Sequence, residues 1–283
     1  LADVIEQTPI QTVITTQIAE LVGFPKSMLI NGIVKYVKKM VPPFQLPGAI
    51  KFNHTLAEGK KYPYKEVTLG HEDVAFLQYT GGTTGVAKGA ALSHRNMIAN
   101  LLQAHSWAGA DLVDGEELVV TALPLYHIFA LTANALFCMK IGANSLLITN
   151  PRDMPGFVKS LRGRKFSYIT GVNTLFNGLL NTQGFNDLDF SHLKVSLGGG
   201  MAVQRVVAEK WQQHTGCYLL EGYGLTETSP VISVNCEENG GFRVGTVGKV
   251  LNGVEVKIAN DGEILAKGPN IMQGYYKDPE KTA

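Results

Sequence analysis

The chain is organised around the stretch Tyr79-Thr80-Gly81-Gly82-Thr83-Thr84-Gly85-Val86-Ala87-Lys88-Gly89. The apolar run Val74-Ala75-Phe76-Leu77 before it predicts a buried strand, and residues 92–102 after it predict a helix with Ser93 as the N-cap. Glycines let consecutive backbone N–H groups point into one concavity, which can bind an anion. The threonine hydroxyls add hydrogen-bond donors, and Lys88 adds a positive charge. The stretch therefore predicts a loop that holds a polyphosphate group.

This loop differs from the phosphate loop of kinases and GTPases. That loop requires Gly, four residues, and then Gly-Lys followed by Ser or Thr. Here Ala87 precedes the lysine and Gly89 follows it. A glycine-rich turn that carries a surface lysine is the alternative interpretation, because polar glycine loops are common.

Composition limits the class of protein. The 283 residues are 45% hydrophobic, which is enough for one large α/β body and a smaller appendage. Lys and Arg number 25 against 24 for Asp and Glu, and no basic stripe interleaved with aromatic residues predicts a nucleic-acid partner. The three scattered cysteines indicate free thiols in a reducing compartment, hence a cytoplasmic location, and no zinc site. No signal peptide and no apolar run of about 18 residues is present. The chain starts at Leu1 and ends at Ala283 within a pattern, so we expect a fragment of a longer protein.

The order of elements predicts an α/β fold with mostly parallel sheets layered with helices. Residues 44–72 predict a long loop. Beyond about residue 230, alternating segments at 254–258 and 263–267 predict a small antiparallel β subdomain. The predicted domains are therefore an α/β core over 1–230 and a β-rich subdomain over 231–283. Strands are predicted at 13–16, 117–123, 145–149, 167–172, 193–197 and 218–221, and helices at 28–41, 127–141, 155–163, 174–182 and 203–214.

The predicted helix at 28–41 is amphipathic and basic. Apolar residues share one face, and Lys35, Lys38 and Lys39 lie around the rest. Such a helix can lie on an anionic membrane surface, which would make the protein peripheral on the inner membrane. An ordinary surface helix packed on the core is the alternative interpretation.

Four predicted strand ends carry candidate ligand-binding residues. In an open parallel sheet, ligands bind outside the carboxyl ends of the strands. Besides the glycine loop, these ends are Leu123–His127, Gly198–Gly200 and Glu221–Glu227. Each alone has a structural explanation: a histidine at a helix start, a tight glycine turn, a solvated carboxylate. Together they describe a polyphosphate loop, a flat slot and a carboxylate for Mg²⁺, which are the parts of a Mg-nucleotide site.

These motifs resemble those of a known family. Tyr79–Gly89, Leu123–His127, Gly222–Glu227 and Lys267–Tyr276 are similar, in order and spacing, to the core motifs of the adenylate-forming superfamily. The chain is identified as a member of its AMP-forming acyl-CoA synthetases, and residues 74–200 look most like bacterial long-chain fatty-acid–CoA ligases. Ala87 stands where many members have proline. The resemblance covers nearly the whole chain, and it implies that residues 1–230 are an adenylation core that is incomplete at its N-terminus.

The resemblance implies a role for each matching residue. The phosphate-binding residues would be Thr80, Gly81, Gly82, Thr83, Thr84, Gly85 and Lys88, with Thr80 near the metal. The adenine and nucleotide-binding residues would be Gly199, Gly200, Glu221, Gly222, Tyr223 and Gly224, with Tyr223 stacking on the base. Thr226 would contact the α-phosphate, Glu227 would ligate Mg²⁺, and His127 would lie between the acyl carboxylate and the α-phosphate. The mouth of an acyl tunnel would be formed by Ile128, Phe129 and Leu131.

The implied reaction uses ATP, Mg²⁺ and coenzyme A. A fatty carboxylate would attack ATP to give acyl-AMP and pyrophosphate, and the thiol of coenzyme A would then displace AMP. The ribose-binding aspartate and the mobile C-terminal domain with its catalytic lysine would follow Ala283, so we expect low activity from this fragment alone. A homodimer is a further expectation.

Other functions stay open at this point. The protein could activate aryl or medium-chain acids, or could be a fatty acyl-AMP ligase that delivers its product to a carrier. From different classes, it could be an inactive nucleotide-binding scaffold or an interaction module. The intact Lys88, Thr226 and Glu227 argue against an inactive scaffold, and an interaction module would not need a phosphate loop opposite a carboxylate.

Overall fold

A computed structural model describes residues 2–81, 87–108, 112–236 and 242–282. The chain divides into two units, residues 1–68 and residues 69–283. In the first unit, strands β1 (Ile14–Thr15) and β2 (Ile50–Lys51) pair in parallel, with Ile14 opposite Ile50. The unit also contains a 3₁₀ turn and two helices. They are the 3₁₀ turn Ile5–Gln7, helix α1 (Lys26–Gly32), which continues as π-helix over Ile33–Val37, and helix α2 (Phe52–Gly59).

Two predictions for this first unit need correction. The predicted helix at 28–41 ends at Val37, because Lys39 adopts a left-handed backbone conformation with φ of 50° that breaks the helical repeat. The predicted loop at 44–72 is wrong over Ile50–Gly59, which forms β2 and α2. Phe52 and Leu56 stand four residues apart and so share one face of that helix.

The second unit begins with a β-hairpin. Strand β3 (Val74–Thr80) pairs antiparallel with strand β4 (Lys88–Ser93), and Thr80 lies opposite Lys88. The glycine stretch therefore connects two strands of a ribbon, and the prediction of a strand in the parallel sheet is wrong. The prediction of a buried strand is wrong too, since Val74 and Leu77 are 46% and 40% exposed. β4 is the buried strand, because residues 273–276 hydrogen-bond to its other edge.

Helix α3 (His94–Ala108) follows the hairpin directly. The Ser93 hydroxyl accepts a hydrogen bond from the Asn96 N–H, and the Asn96 side chain accepts one from the Ser93 N–H. This reciprocal cap satisfies two backbone donors at the helix start and confirms Ser93 as the N-cap.

A seven-stranded sheet forms the body of the second unit. Its strands are β5 (Leu118–Thr121), β6 (Asn144–Leu147), β7 (Tyr168–Gly171), β8 (Val195–Gly198), β9 (Leu219–Gly224), β10 (Val231–Val234) and β11 (Lys249–Val250). Their order is β11-β10-β9-β8-β7-β5-β6. Strands β5 to β9 are parallel to one another, and β10 and β11 pair antiparallel. The predicted mostly parallel α/β fold is confirmed.

Helices follow the parallel strands as crossovers. They are α4 (Ile128–Ala130), continued by π-helix over Leu131–Leu136 and by α5 (Phe137–Ile141), then α6 (Met154–Leu161), α7 (Asn173–Leu180) and α8 (Arg205–Thr215). The 127–141 prediction is confirmed, including its end at Gly142, which caps the helix with φ of 67°.

Both faces of this sheet are covered. Ile169 packs in one cluster with the buried side chains of α6, α7 and α8, centred on Trp211 and Phe176, whose ring centroids lie 4.8 Å apart. Its neighbour Tyr168 faces the opposite way, toward Cys138 of α5. Alternate residues therefore serve two apolar layers, which explains why the parallel strands are continuous apolar runs.

The chain after residue 230 first completes this sheet and then leaves it. Strands β10 and β11 extend the sheet, so it does not break at residue 230, and the domain division there stays a prediction. Strands β12 (Glu255–Ile258) and β13 (Ile264–Lys267) form a separate antiparallel hairpin around Asp261-Gly262, as predicted. None of the helices in the described ranges is both long and apolar enough to cross a bilayer.

Candidate functional site

The carboxyl ends of three parallel strands meet at one edge of the sheet. β5 leads into Pro124–His127, β8 leads into Gly199-Gly200, and β9 ends at Gly224. Because these strands are parallel, the segments that follow them lie at the same edge. Three of the four predicted strand ends are therefore brought together by the sheet itself.

The hairpin brings the fourth segment to that edge by a different route. The side-chain amide of Gln78 on β3 donates a hydrogen bond of 2.7 Å to the Tyr126 carbonyl oxygen, in the loop before His127. Thr80 stands at the end of the same strand and lines the cavity described next. The hairpin is thus attached to the edge of the large sheet without belonging to it.

These segments enclose a cavity of about 280 Å³. Its lining combines the glycine-rich ends of β8 and β9 and the polar side chains of His127 and Glu227 with the apolar side chains of Phe129 and Leu197. The lining residues are Thr80, His127, Ile128, Phe129, Leu197, Gly199, Gly200, Gly222, Tyr223, Gly224, Leu225, Thr226, Glu227, Pro230 and Val231.

The absence of side chains at the end of β8 makes one wall of this cavity flat. A Cβ on Gly199 would lie 3.1 Å from the Phe129 ring, and one on Gly198 would lie 2.6 Å from a Val203 methyl group. Both positions are tighter than ordinary van der Waals contact, so a side chain at either one would require the Phe129 ring or the Val203 methyl group to shift. The wall left between Gly199 and Tyr223 suits a planar ring.

A short turn presents Thr226 and Glu227 to the cavity. The Leu225 N–H donates to the Thr228 hydroxyl at 2.9 Å and to the Pro230 carbonyl at 3.1 Å, and the Thr228 N–H donates back to the Leu225 carbonyl. Thr228 also donates to the carbonyls of Leu225 and Pro230. The turn is therefore fixed at both ends by its own hydrogen bonds.

Among the residues that the structure describes, the Glu227 carboxylate has one direct side-chain partner. The Tyr275 hydroxyl donates to its Oε1 at 2.6 Å. Burial, followed by the hydrogen bond and the negative charge of Glu227, raises the pKa of Tyr275 to about 12, so the phenol is neutral and protonated at neutral pH.

Lys88 lies beside the same tyrosine. Its Nζ is 5.1 Å from the centroid of the Tyr275 ring, a distance that allows a cation–π interaction. Lys88 is not among the residues that line the cavity.

His127 lines the cavity and also caps a helix. Its Nδ1 accepts a hydrogen bond of 3.2 Å from the Phe129 N–H at the start of α4. The neutral imidazole then carries its proton on Nε2, which is left as a donor. The structural explanation and the ligand-contact explanation for this residue are therefore compatible.

Glu221, Gly81 and Leu131 do not line the cavity. The Glu221 carboxylate is buried and accepts a hydrogen bond of 3.1 Å from the Val203 N–H, and burial, partly offset by that bond, raises its pKa. Leu131 packs against the apolar cluster around Leu92 and Ile128. The predicted phosphate contacts Gly82, Thr83, Thr84 and Gly85 lie outside the described residues.

The oxygen donors near Glu227 match the ligands that Mg²⁺ prefers. Across the described part of the chain, no three His, Cys, Asp or Glu side chains gather into a group that could hold a metal alone. One carboxylate and the Thr80 hydroxyl face the same cavity, and both are hard oxygen donors. Magnesium binds in this manner when substrate phosphates supply further ligands, so the residues fit the ion.

Some residues of the site have no signal in the sequence. Leu197 lines the cavity from β8, and Pro230 and Val231 line it where the chain returns to the sheet as β10, so a prediction from local pattern does not reach them. Tyr275 lies in the motif Lys267–Tyr276, which the sequence singles out without giving it a role. Its contact with Glu227 joins residues 48 positions apart.

Comparison with known proteins gives concordant matches. The model of the family described as AMP-binding enzyme matches residues 1–276. A long-chain-fatty-acid–CoA ligase of Escherichia coli is 51% identical over 100% of this chain and 52% of its own length. The enzyme of the same name from Bacillus subtilis is 32% identical over 97% of this chain and 50% of its own length. The chain thus spans about half the length of the curated relatives it matches.

Solved structures agree with the fold. Apo MatB from Rhodopseudomonas palustris is 27% identical and superposes with a TM-score of 0.65, over 78% of this chain and 44% of that one. The anthranilate CoA ligase AuaEII in complex with anthranoyl-AMP superposes with a TM-score of 0.74, over 99% of this chain and 54% of that one. At 20% identity the second likeness shows the fold alone.

Proposed function

The chain belongs to the AMP-binding enzyme family, and from this premise we propose that the protein containing it is a long-chain-fatty-acid–CoA ligase. The protein would use ATP to convert a fatty acid to acyl-AMP and pyrophosphate, and would then transfer the acyl group to coenzyme A. The observation that carries the proposal is that one cavity is lined both by the glycine-rich strand ends with His127, Thr226 and Glu227 and by apolar side chains.

The first step needs no general base. A fatty carboxylate is ionised at pH 7, so one of its oxygens can attack the α-phosphorus of ATP directly. The bond between that phosphorus and the bridging oxygen to the β-phosphate breaks, and pyrophosphate leaves with the electron pair. The obstacle is repulsion between two anions and the charge that develops in the transition state.

The chain's own residues would reduce this obstacle by hydrogen bonding and charge. Thr80, Gly81 and the residues up to Lys88 would hold the β- and γ-phosphates, and the Thr226 hydroxyl would donate to the α-phosphate. His127 would donate from Nε2 between the two reacting anions, because its Nδ1 accepts from the Phe129 N–H. When bound, Mg²⁺ would neutralise phosphate charge, with Glu227 and Thr80 as its protein ligands.

The nucleotide base would occupy the flat wall. Gly199, Gly200, Gly222 and Gly224 keep this wall free of side chains, and the half-buried Tyr223 supplies a ring for stacking. Glu221 would lie near the base without contacting it, because its carboxylate accepts a hydrogen bond from the Val203 N–H and does not line the cavity.

The apolar part of the cavity would receive the first carbons of the acyl chain. Ile128 and Phe129 are buried at the start of α4, and Leu197 and Val231, which belong to the same apolar cluster as Phe129, also line the cavity. Leu131 would contribute further along the acyl tunnel, after the helix turns.

The second step exchanges AMP for coenzyme A at the acyl carbon. The thiol sulfur attacks the carbonyl carbon, the bond from that carbon to the phosphate oxygen breaks, and AMP leaves. The thiol proton is released to solvent.

The experiment uses the full-length protein and follows ATP-dependent release of pyrophosphate and AMP. Acetate, octanoate, palmitate, oleate and benzoate are compared with and without coenzyme A. Turnover with palmitate or oleate that requires coenzyme A supports the proposal. Acyl-AMP that coenzyme A does not discharge would instead indicate an acyl-AMP ligase, and turnover confined to octanoate or benzoate would indicate a ligase for other acids.

Two matched variants connect the activity to this site. Glu227→Gln removes the carboxylate that faces the cavity, and Glu209→Gln removes one from the exposed surface of α8. We expect the first to abolish pyrophosphate release and the second to leave it unchanged. Equal rates for both variants would show that the reaction occurs elsewhere, and no pyrophosphate with any acid would leave only a nucleotide-binding scaffold.

We also propose a peripheral membrane contact through residues 28–41 of a cytoplasmic protein. Met28, Leu29 and Val37 are exposed, and Lys35 and Lys38 lie in the same segment. Cosedimentation with anionic phosphatidylglycerol vesicles, but not with neutral phosphatidylcholine vesicles, is expected for the full-length protein and should weaken in a Lys35→Glu/Lys38→Glu variant. Equal recovery with both lipids would contradict an electrostatic contact.

Light scattering of the same preparation tests the predicted homodimer.

A further inference from the structure

Tyr275 stands between the two charged residues proposed to act on the phosphates. Its hydroxyl donates to Glu227 Oε1 at 2.6 Å, and its ring lies under Lys88 Nζ at 5.1 Å. Tyr275 does not itself line the cavity. It is therefore placed to act on the cavity through its neighbours and not by contact with a ligand.

The backbone on both sides of Tyr275 is fixed by hydrogen bonds. On one side, the Met272 N–H donates to the Glu227 carbonyl at 2.8 Å. On the other, the Tyr276 N–H donates to the Gly89 carbonyl at 2.7 Å, next to Lys88. The Tyr275 N–H itself donates to the Thr282 hydroxyl at 2.9 Å. Residues 272–276 thus connect the turn that carries Glu227 to the strand that carries Lys88.

The chemical character of the donor matters for a metal ligand. A phenol donates one hydrogen bond without bringing a positive charge, so the carboxylate keeps its full charge for a cation. A bond to one oxygen restricts rotation of the carboxylate, and Oε2 has no hydrogen-bond partner in the described residues. Groups that bond to a metal ligand in this way orient it, and their loss commonly costs about 10-fold to 100-fold in metal affinity or activity.

We propose that Tyr275 is a positioning residue, which holds the Glu227 carboxylate in the orientation that receives the magnesium of the nucleotide complex. The proposal rests on the proposed function. The proposed role belongs to the hydroxyl group of Tyr275 alone. A phenylalanine at this position would lack the hydroxyl but would keep the ring beneath Lys88.

The test measures nucleotide binding without turnover. A non-reactive ATP analogue with a methylene bridge between the α- and β-phosphates is titrated into the full-length protein by calorimetry, at buffered concentrations of free Mg²⁺. For Tyr275→Phe, we expect the free Mg²⁺ that gives half-maximal binding to increase about 10-fold to 100-fold. Saturating Mg²⁺ should restore most of the binding, which a general loss of structure would not allow.

Tyr276→Phe is the matched control. Tyr276 is the next residue, is half exposed, and has Lys277 over its ring at 5.2 Å, but its hydroxyl has no partner among the described residues. We expect its Mg²⁺ dependence to equal that of the unaltered protein. In a Glu227→Gln background, Tyr275→Phe should add no further loss, because the group it positions has been removed.

The outcomes separate this proposal from the proposed function. If the unaltered protein binds the analogue and activates palmitate while Tyr275→Phe has an unchanged Mg²⁺ dependence, the positioning role is overturned and the function stands. An additional loss in the Glu227→Gln background would also overturn it. If the unaltered protein binds no nucleotide at any Mg²⁺ concentration, the proposed function fails first.

Discussion

The α-carbon of Gly224 faces the carbonyl oxygen of Pro230 so closely that any Cβ at residue 224 would overlap that oxygen. Gly224 ends β9, and Pro230 precedes β10, so this contact closes the base of the turn that presents Thr226 and Glu227. The carbonyl is not free to move away, because it also accepts hydrogen bonds from Leu225 and Thr228. Glycine is required at residue 224 for steric reasons.

Gly224→Ala is therefore expected to open this turn. The added methyl group has to displace backbone, which costs about 1–3 kcal/mol or more in the free energy of unfolding. Thr226 and Glu227 would move with the turn, so ATP binding should weaken as well. Urea unfolding and nucleotide calorimetry on the full-length protein measure the two effects.

Gly222→Ala is the control for Gly224→Ala. A Cβ at residue 222 would meet its nearest atom, in Leu197, at 3.5 Å, which is ordinary contact. We expect its free energy of unfolding to change by less than about 1 kcal/mol. Equal destabilisation by the two variants would contradict the steric explanation.

Four of the parallel strands, β5, β7, β8 and β9, could be predicted from the sequence because they are buried on both faces over most of their length, whereas the edge strand β6 is mostly exposed and shares only the apolar run. A strand buried on both faces is a continuous apolar run, and the five runs that begin near residues 117, 145, 167, 193 and 218 all correspond to strands of the sheet. Residues that follow these runs, such as His127 and Thr226, could then be expected at one edge without knowledge of the side-chain packing.

The partner of a strand could not be predicted from the same signal. Val74–Leu77 is apolar enough to be interpreted as a buried strand, yet β3 is the exposed member of its hairpin. The buried member is β4, because Gly274 and Tyr276 bond to its outer edge from almost two hundred residues away. An apolar run indicates that a segment forms a strand, but it gives neither the depth of burial of that strand nor the segment that covers it. The Tyr275–Glu227 contact is unpredictable for the same reason.

Lys88→Met is expected to weaken ATP binding. The methionine keeps an unbranched apolar stem over the Tyr275 ring and removes the charge proposed to hold the phosphates. A charge-assisted hydrogen bond contributes about 1.5–3 kcal/mol, so the KM for ATP should increase about tenfold to a hundredfold. Steady-state kinetics of the full-length protein at saturating palmitate give this value.

Lys277→Met controls for loss of a stacked lysine. Its Nζ lies 5.2 Å from the Tyr276 ring centroid, nearly the same geometry as Lys88 on Tyr275. Because Lys277 has no proposed phosphate contact, its KM for ATP should not change. A similar increase in both variants would mean that the stacking, and not the phosphate contact, is what the kinetics detect.

Substitutions of His127 can separate its two roles. His127→Asn keeps an N-cap side chain for α4 and removes the imidazole, whereas His127→Ala removes both. We expect both variants to lose acyl-AMP formation, but only His127→Ala to lose about 1 kcal/mol of stability. Palmitate-dependent pyrophosphate release and thermal unfolding provide the comparison. Full activity in His127→Asn would restrict the residue to its capping role.

The ion pair between Lys194 and Glu117 should make stability depend on pH. Glu117 is 3% exposed and Lys194 is 33% exposed, with 2.7 Å between Nζ and Oε1. Burial raises the pKa of Glu117, but hydrogen bonds from Lys194, Ser167 and the Val113 N–H outweigh it and hold the pKa below its ordinary value of 4.5. A lowered pKa in the folded state contributes stability that is complete above pH 4.5 and is lost as the pH falls through the lowered value.

Lys194→Met should therefore destabilise the protein most at neutral pH. We expect a loss of about 2 kcal/mol at pH 7, less than for a fully buried pair because water reaches Lys194. The difference from the unaltered protein should shrink as the pH falls below 4.5, where Glu117 becomes protonated in both proteins. Arg95→Met breaks an ion pair of 2.9 Å whose side chains are both exposed, so its cost should stay below about 1 kcal/mol. Urea unfolding between pH 3 and pH 8 measures the free energy of unfolding of the unaltered protein and of both variants. If the stability lost in Lys194→Met is constant over this range, packing of the lysine stem, and not its charge, stabilises β8.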